Sequence, residues 1–248
     1  MPDGVYIVTG AGSGIGRAIA RELLTSGAAV ALVGRRLDHL QEAAGDQRRA
    51  LCCPADISDP ALVSRTVQEV VARFGRIDGL VNNAGIARFA PVDQSDLHDL
   101  DLMLDVHVRG PILLIQACLP YLRASGGSIL TISSVGGDLA MPNRSLYGAT
   151  KAAQNSLTKS LALELAPLVR VNAILPGPVT TPMYGDLGLD EAATTRLRAA
   201  MIEQTPMKRF GTPDEVARWA TLLLDPKHSA WITGALIPVD GGRTAIHI

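Results

Sequence analysis

The sequence contains little that would suit a disulfide scaffold, a metal site or a nucleic-acid partner. Its 248 residues include three cysteines, an odd number without CxxC spacing, and five histidines that are scattered without metal-ligand spacing. The formal net charge is −1, and the 23 basic residues form no dense block, which argues against nucleic-acid binding. We therefore expect no metal, no structural disulfide and no nucleic-acid partner.

Long apolar runs are also missing. No uninterrupted apolar stretch reaches the roughly 18 residues typical of a membrane span, and the opening segment MPDGVYIVTG enters a strand pattern without a secretory signal. No linker, low-complexity tract or internal repeat divides the chain. These features predict one domain over residues 1–248, without a membrane partner and in the reducing cytoplasm.

Short apolar segments alternate with helical patterns along the chain. Helices are predicted from residue 14 to Gly27, which would end the first, and from the Asp59 cap through Pro60 to Gly75. This order predicts an α/β fold, a Rossmann-like doubly wound parallel sheet with helices on both faces. About seven buried strands are predicted, at residues 5–9, 29–33, 49–55, 79–83, 128–132, 169–175 and 235–239.

Ligands of such sheets bind beyond the carboxyl ends of the strands. A glycine-rich loop over residues 10–16, the NNAG motif at 82–85, Ser133 with Ser134, and the PGPVTTP segment all follow predicted strands. Residues 86–98 and 182–206 are polar or glycine-bearing, so we predict loops there. The second of these would form a lid over the substrate.

The glycine-rich loop TGAGSGIG does not match GxGxxG in either register. Its spacing is Gly10-x3-Gly14-x-Gly16. Glycines let backbone N–H groups approach a pyrophosphate, and the following helix supplies partial positive charge. Alone, such a loop could also be a tight turn without a ligand.

Tyr147 and Lys151 lie four residues apart in SLYGATKAA, which places both side chains on one helix face. Many surface helices carry such a pair by accident, so the spacing alone does not distinguish a catalytic pair from a chance one.

Six motifs in order carry a specific resemblance. TGAGSGIG, NNAG, Ser134, the Tyr147-x3-Lys151 pair, PGPVTTPM and ITGALIPVDGG together resemble the short-chain dehydrogenase/reductase family over nearly the whole chain. The resemblance implies an NAD(P)-dependent oxidoreductase. Tyr147 would be the acid–base group, Lys151 would lower its pKa and hold the nicotinamide ribose, and Ser134 would donate a hydrogen bond to the substrate oxygen. Ser133 is the weaker candidate. Lowering a tyrosine pKa from about 10 to near 7 takes roughly 4 kcal/mol.

One position departs from the family pattern. The family usually has an asparagine where this chain has His107, and the main-chain carbonyl there is thought to hold a water that links the lysine to solvent. Pro111 has no N–H, so in a continuous helix the carbonyl of His107 would lack its usual partner. We favour the carbonyl holding that water; alternatively, the imidazole itself would titrate in the relay.

The choice of dinucleotide depends on the end of the second strand. NAD-preferring relatives carry an acidic residue there, whereas this chain has Gly34 followed by Arg35 and Arg36, which would attract a 2′-phosphate. Against this, Ser13 occupies the loop position that is often basic in NADP-preferring relatives. We favour NADP(H), with NAD(H) possible. The cofactor contacts implied by the resemblance are Gly10, Ser13, Gly14, Ile15, Gly16, Arg35, Arg36, Asp56, Ile57, Asn83, Ala84, Gly85, Tyr147, Lys151, Pro176, Gly177, Val179 and Thr181.

The predicted lid is rich in apolar side chains, which suits a hydrophobic ketone or secondary alcohol such as a 3-oxoacyl, polyketide or steroid carbonyl. Those side chains are Met183, Tyr184, Leu187, Leu189 and Met201, with Leu139 and Met141 nearby. The resemblance also implies a homotetramer or homodimer. Three alternatives remain: an NAD-dependent alcohol dehydrogenase, a dehydratase or epimerase on the same scaffold, and a nucleotide-binding regulator without turnover.

Overall fold

A computed structural model describes residues 4–247, so residues 1–3 and 248 of the predicted domain lie outside the described part. Within that part, seven parallel strands form one sheet in the order β3-β2-β1-β4-β5-β6-β7. The strand order reverses beside β1, and ligand sites of open α/β sheets lie at such switch points. The strands are β1 (Val5–Thr9), β2 (Ala29–Gly34), β3 (Ala50–Pro54), β4 (Gly79–Asn82), β5 (Ser128–Ile132), β6 (Arg170–Pro176) and β7 (Leu236–Val239).

Helices cover both faces of the sheet, which confirms the predicted fold class. Their bounds are α1 (Gly14–Thr25), α2 (Leu37–Ala44), α3 (Pro60–Phe74), α4 (Leu97–Leu104), α5 (Gly110–Ser125), α6 (Ser145–Leu165), α7 (Glu191–Glu203), α8 (Pro213–Leu224) and α9 (Pro226–Ser229).

Two buried clusters lie on opposite faces of the sheet. Strand side chains alternate between them, as β-strand geometry requires: Val8 packs on the face covered by α1 and α8, whereas its neighbour Ile7 packs on the face covered by α3 and α5. The register of the parallel strands pairs Ile7 with both Ala31 and Leu80. The two buried clusters therefore hold the strands in register, and with them the edge of the sheet at which the candidate site lies.

Local signals in the sequence account for α3. The Asp59 carboxylate accepts hydrogen bonds from the N–H groups of Ala61 and Leu62, and Pro60 occupies the first turn, where its missing N–H costs nothing. The helix ends at Gly75, whose φ of 76° lies in the left-handed region. Both predicted ends of this helix are confirmed.

The expectation of a loop over residues 182–206 needs correction, because most of this segment is helical. A 3₁₀ turn spans Pro182–Gly185, and α7 follows, with the Asp190 side chain accepting from the N–H of Ala193 at its amino end. The segment contains strong helix formers after that cap. The predicted lid is therefore built largely from one short helix.

The segment Leu97–Ser125 runs through α4, a π-helical turn at Asp105–Arg109 and α5. By length and composition it could cross a membrane, and it is the one helical stretch among the described residues that meets both criteria. Core helices of soluble proteins meet them too, so this is weak support for a span. Here α5 buries Leu114, Cys118 and Leu122 in the cluster that it shares with α3 and β4.

Candidate active site

The glycine-rich loop lies at the carboxyl edge of the sheet between β1 and α1. Gly10 and Gly14 have φ angles of +64° and +52°, which side-chain-bearing residues rarely adopt. A Cβ atom on Gly14 would lie 3.1 Å from Thr181 Cγ2, and one on Gly10 would lie 2.8 Å from Asn83 Nδ2. The structure thus brings two other predicted segments, NNAG and PGPVTTP, against this loop.

The loop is followed by an α1 amino terminus that could hold a pyrophosphate. Ser13 precedes the helix in an extended conformation, and its side chain makes no capping hydrogen bond. The first-turn N–H groups of a helix, those of Gly14, Ile15 and Gly16 here, point toward such a ligand. Fixed positive-φ glycines and an uncapped helix terminus fit a dinucleotide.

The NNAG motif is tied to the end of β1. The Thr9 hydroxyl accepts hydrogen bonds from the N–H groups of Asn83 and Ala84, both at 2.9 Å, and Asn83 Nδ2 donates to the Thr9 carbonyl at 2.8 Å. Gly85 lies next to His107, since a Cβ there would be 3.3 Å from the imidazole Nε2. This motif is thus hydrogen-bonded to the end of β1 and lies between the glycine-rich loop and His107.

The predicted cofactor contacts that follow β3 and β6 also lie at this edge of the sheet. Partial burial opposes ionisation of Asp56, yet hydrogen bonds from Ser58 and the charge of Arg35 hold its pKa below the usual range. Ile57 and Val179 are buried. Pro176 ends β6 beside Val239, and Gly177 follows it.

Arginines near the end of β2 differ in their partners. Arg17 is engaged, because it pairs with Glu42 at 2.8 Å and donates twice to the Gly12 carbonyl. Arg35 and Arg36 are exposed, and neither forms an ion pair with any residue of the described part of the chain. Two exposed guanidinium groups thus stand at the place predicted to meet the adenosine ribose, and Arg35 also acts on the Asp56 carboxylate from beyond ion-pair distance.

His39 was not predicted as a site residue. Its Nδ1 atom is buried without a hydrogen-bond partner, and its Cβ lies 3.0 Å from where a Cβ on Gly12 would be. A buried polar atom without a partner is uncommon in folded proteins and is a candidate ligand contact. The signal available for it was its position in the first turn of α2, directly after Arg35 and Arg36.

Ser134, Tyr147 and Lys151 converge at the carboxyl end of β5. The Ser134 hydroxyl interacts with the Tyr147 phenol in the sense that favours a lower pKa of that phenol, and it accepts a hydrogen bond from the Gly136 N–H at 3.0 Å. Lys151 Nζ lies 5.8 Å from the centre of the Tyr147 ring. Ser133 bonds instead to Asn155 Oδ1 at 2.6 Å, so the geometry favours Ser134 over its neighbour.

Burial dominates the electrostatics of this pair in the chain by itself. It raises the pKa of Tyr147 above its ordinary value of 10.0, although Ser134 and the Arg144 charge oppose the rise. Burial also lowers the pKa of Lys151 from 10.5 to about 7. The predicted lowering of the Tyr147 pKa combines the Lys151 charge with the positive nicotinamide of an oxidised cofactor, and it stays a prediction for the cofactor complex.

The expectation for His107 needs correction. Its carbonyl does have a partner, because Gln154 Nε2 donates to it at 2.8 Å, and the helix there is a π turn. The imidazole Nε2 accepts from the Ile86 N–H at 3.2 Å, so Nδ1 carries the proton toward Thr150 Oγ1 at 2.8 Å. Burial, together with the Lys151 charge, holds the pKa of His107 well below 6.5, and the ring is neutral.

Gln154 is the residue that the sequence analysis missed at the catalytic centre. Both ends of its buried amide are engaged: Nε2 donates to the His107 carbonyl, and Oε1 accepts from Lys151 Nζ at 2.9 Å. The ammonium also donates to the Ile132 carbonyl at 3.3 Å. The three-residue helical spacing from Lys151 was the available signal.

An apolar cluster borders the tyrosine on its open side. Leu187 is buried against Tyr147, and Met183 and Tyr184 pack on the same group. Leu139 packs instead with Val135 and Leu236. Of the predicted substrate-facing residues, those at 183, 184 and 187 therefore come together beside the catalytic side chain.

Comparisons with known proteins agree with this site. A family model described as enoyl-(acyl carrier protein) reductase matches residues 10–244. A Thermotoga maritima 3-oxoacyl-[acyl-carrier-protein] reductase is 36% identical over 244 residues, covering 96% of both chains. The chain belongs to the short-chain dehydrogenase/reductase family. It is an oxidoreductase.

Two further similarities extend the match. Levodione reductase from Leifsonia aquatica is 34% identical over 257 residues, covering 99% of this chain and 96% of that protein. A Brucella melitensis 3-ketoacyl-(acyl-carrier-protein) reductase structure, complexed with NADH, superimposes with a TM-score of 0.90 at 34% identity, covering 97% and 98% of the two chains. Together with the glycine loop, this supports a nicotinamide cofactor for this short-chain dehydrogenase/reductase.

Proposed function

We propose that this chain is an NADP(H)-dependent ketoreductase, which interconverts a ketone that has an apolar body and its secondary alcohol. The observation that carries the proposal is that Lys151 Nζ lies 5.8 Å from the centre of the Tyr147 ring, whose phenol also interacts with Ser134. These three groups stand at the sheet edge where the cofactor residues converge. The related 3-oxoacyl and levodione reductases, by their names, act on ketones.

In this proposal, the nicotinamide supplies or accepts the hydride when bound. A carbonyl oxygen that gains negative charge needs a hydrogen-bond donor and a proton. Ser134 donates the hydrogen bond, and Tyr147 releases its phenolic proton to that oxygen. Because burial raises the pKa of Tyr147, the phenol is protonated at neutral pH, which is the form needed for reduction.

Lys151 and Gln154 would act on the reaction indirectly, through Tyr147. The ammonium is fixed by Gln154 Oε1 and by the Ile132 carbonyl, so its charge is held close to the Tyr147 ring. As the phenol loses its proton, this charge stabilises the phenolate. Gln154 would hold the lysine in that position through its second bond, to the His107 carbonyl.

Turnover of a panel of ketones, followed by nicotinamide absorbance, tests the reaction. Tyr147→Phe should lower kcat at least a hundredfold while leaving the cofactor Kd within about threefold, since general acid catalysis contributes on the order of 10²–10⁴. Tyr121→Phe, on the far face of α5, is the matched control and should be normal. Near-normal turnover by Tyr147→Phe would refute the assignment.

The preference for NADP(H) is supported by Arg35 and Arg36, which are exposed and without carboxylate partners in the described structure. A charge-assisted hydrogen bond to a 2′-phosphate contributes about 1.5–3 kcal/mol, so kcat/KM should favour NADPH about tenfold or more. Arg35→Gln should reduce that ratio without affecting NADH. Exposed Arg48→Gln is the control.

NAD(H) is the alternative, and one observation favours it. Ser13 is the only side chain between Gly12 and Gly14, so the loop itself offers no cation, and nearby Arg17 is already paired with Glu42. If wild-type kcat/KM is higher with NADH and Arg35→Gln leaves it unchanged, the chain is an NAD-dependent alcohol dehydrogenase.

We also propose that the enzyme is a homotetramer or homodimer. Leu163 on α6 is 85% exposed and Trp231 before β7 is fully exposed, and apolar side chains in such positions are often covered by a second subunit. Light scattering that gave the mass of a single chain would contradict this.

A further inference from the structure

Three arginines lie close to the apolar cluster that contains Tyr147. The Arg144 guanidinium lies 4.9 Å from the centre of the Phe89 ring, and that ring stands edge-on to Tyr147 at 5.5 Å. The Arg198 guanidinium lies over Tyr184 and Phe210, at 5.5 and 4.7 Å from the ring centres. Aromatic faces thus hold two cations at the mouth of the site.

Arg243 is the third cation, and it is the most buried, with 5% of its surface exposed. It donates to the Met201 carbonyl at 3.2 Å and to Gln204 Oε1 at 2.7 Å. The carboxylate of Asp240 is nearby and attracts it, but its oxygens accept from the N–H groups of Gly242 and Thr244 and from the Thr244 hydroxyl.

Among the described residues, none of these three arginines has a carboxylate within ion-pair distance. Other arginines of the same region do: Arg88 pairs with Asp99 and Asp186, and Arg209 pairs with Glu215. An exposed arginine needs no partner because water solvates it. Burial lowers the pKa of Arg144 and of Arg243, and a desolvated arginine that lacks a carboxylate partner is unusual; Arg198 is half-buried against its two rings.

The three charges also act on one another and on the same phenol. Arg144 and Arg243 repel each other, which, after burial, contributes to lowering the pKa of Arg144. The Tyr184 hydroxyl interacts with all three guanidinium groups and with Tyr147. Phe89 and Tyr184, the rings that carry Arg144 and Arg198, pack in the same apolar cluster as Tyr147, which places these cations near that phenol.

We propose that this cleft binds a substrate with an anionic end, a carboxylate, and that the three arginines hold it while the carbonyl lies at Tyr147. This inference rests on the proposed ketoreductase function and narrows its substrate to oxo acids. The aliphatic and aromatic lining, with Leu187 and Phe89, would contact the carbon chain between the two ends. Arginine matches a carboxylate with two parallel N–H···O bonds, which also fixes its orientation.

The test compares matched pairs of ketones. Linear oxo acids that carry a methyl ketone, from 4-oxopentanoate to 7-oxooctanoate, are assayed beside their methyl esters, which keep the chain but lose the charge. We expect at least one oxo acid to have a kcat/KM ten or more times that of its ester, since a hydrogen bond to a charged group is worth about that much. Equal values for every pair would overturn the inference while leaving the ketoreductase intact.

Variants assign the effect to the cluster. Arg144→Gln and Arg198→Gln should each reduce the acid-to-ester ratio about tenfold. Arg196→Gln, an exposed arginine on the same helix as Arg198, is the control and should leave the ratio unchanged. A ratio that falls equally in all three variants would show a diffuse charge effect and would overturn the assignment.

Binding measurements separate failure of the reaction from failure of the anion site. In calorimetry with the unreactive pair hexanoate and hexanamide, the wild type should bind hexanoate more tightly, and Arg144→Gln should lose that difference. If no ketone is reduced but hexanoate binds in this way, the proposed reaction fails and the anion site remains. If hexanoate binds no better than the amide, the anion site is refuted.

Discussion

Replacing Lys151 by methionine should stabilise the protein at neutral pH while abolishing turnover. Burial lowers the pKa of Lys151 from 10.5 to about 7 in the folded chain. Between these two values the unfolded chain binds a proton that the folded chain does not, so wild-type stability rises with pH. At pH 7 this lysine therefore costs about 4 kcal/mol, and near pH 9 only about 2 kcal/mol.

Methionine removes that cost but also removes two hydrogen bonds. Gln154 Oε1 and the Ile132 carbonyl would each lose a donor, and together they would forfeit about 1–3 kcal/mol. The variant should therefore be more stable than the wild type by about 1–3 kcal/mol at pH 7, and near pH 9 this difference should be smaller by about 2 kcal/mol. The pH dependence of this stability difference is the more specific test, because the two lost hydrogen bonds contribute equally at pH 7 and at pH 9.

Urea denaturation of the cofactor-free protein at several pH values measures this difference. His107 does not interfere, because burial and the Lys151 charge keep its pKa well below 6.5. Lys159→Met, an exposed lysine on the same helix, is the control and should show a difference that does not change with pH. A Lys151→Met difference that stayed constant from pH 7 to about 9 would refute the reasoning, since the lysine would then carry no desolvation cost.

Three further outcomes follow from the same site. Gln154→Leu leaves the Lys151 ammonium with one acceptor, so urea unfolding should show a stability loss of about 2 kcal/mol. The variant should also lower kcat more than it raises KM. An unchanged kcat would count against the positioning role of Gln154. Because burial raises the pKa of Tyr147, kcat/KM for alcohol oxidation should rise through the alkaline range while that for reduction falls, as pH–rate profiles would show; parallel profiles would contradict this. Gly14→Ala, with its φ of +52° and a Cβ 3.1 Å from Thr181 Cγ2, should weaken cofactor binding at least tenfold by titration, with a native circular dichroism spectrum.

The fold could be predicted from the sequence because its signals are local. Each strand is a short, largely apolar run, fully buried in the centre of the sheet and half-buried in the edge strands β3 and β7, and the seven predicted runs correspond to the seven strands of the described sheet. Boundaries shifted by a residue at most at each end, as at 49–55 against Ala50–Pro54. The signal for α7 was also local, an Asp190 cap before helix formers, but the segment was interpreted from its polarity alone.

The catalytic centre was only partly predictable, because its bonds connect distant positions. That the His107 carbonyl meets Gln154 depends on how α6 packs against the π turn, and no spacing in the sequence records this. Likewise, Arg144 and Arg243 come from segments that are far apart in the chain. The apolar residues of the lid led to the prediction of a hydrophobic site, and the arginines near these residues were not predicted.

Buried cations without carboxylate partners link stability to binding in this protein. Lys151, Arg144 and Arg243 each have a pKa lowered by burial, so the folded chain holds positive charge that water would solvate better. A ligand that brings negative charge to the arginines recovers part of that cost only in the folded state, and it stabilises the protein in proportion to its affinity. The free energy that it costs to bury these cations without a ligand is thus partly recovered when an anion binds. For this reason, a site with a mostly apolar lining can still distinguish ligands by their charge.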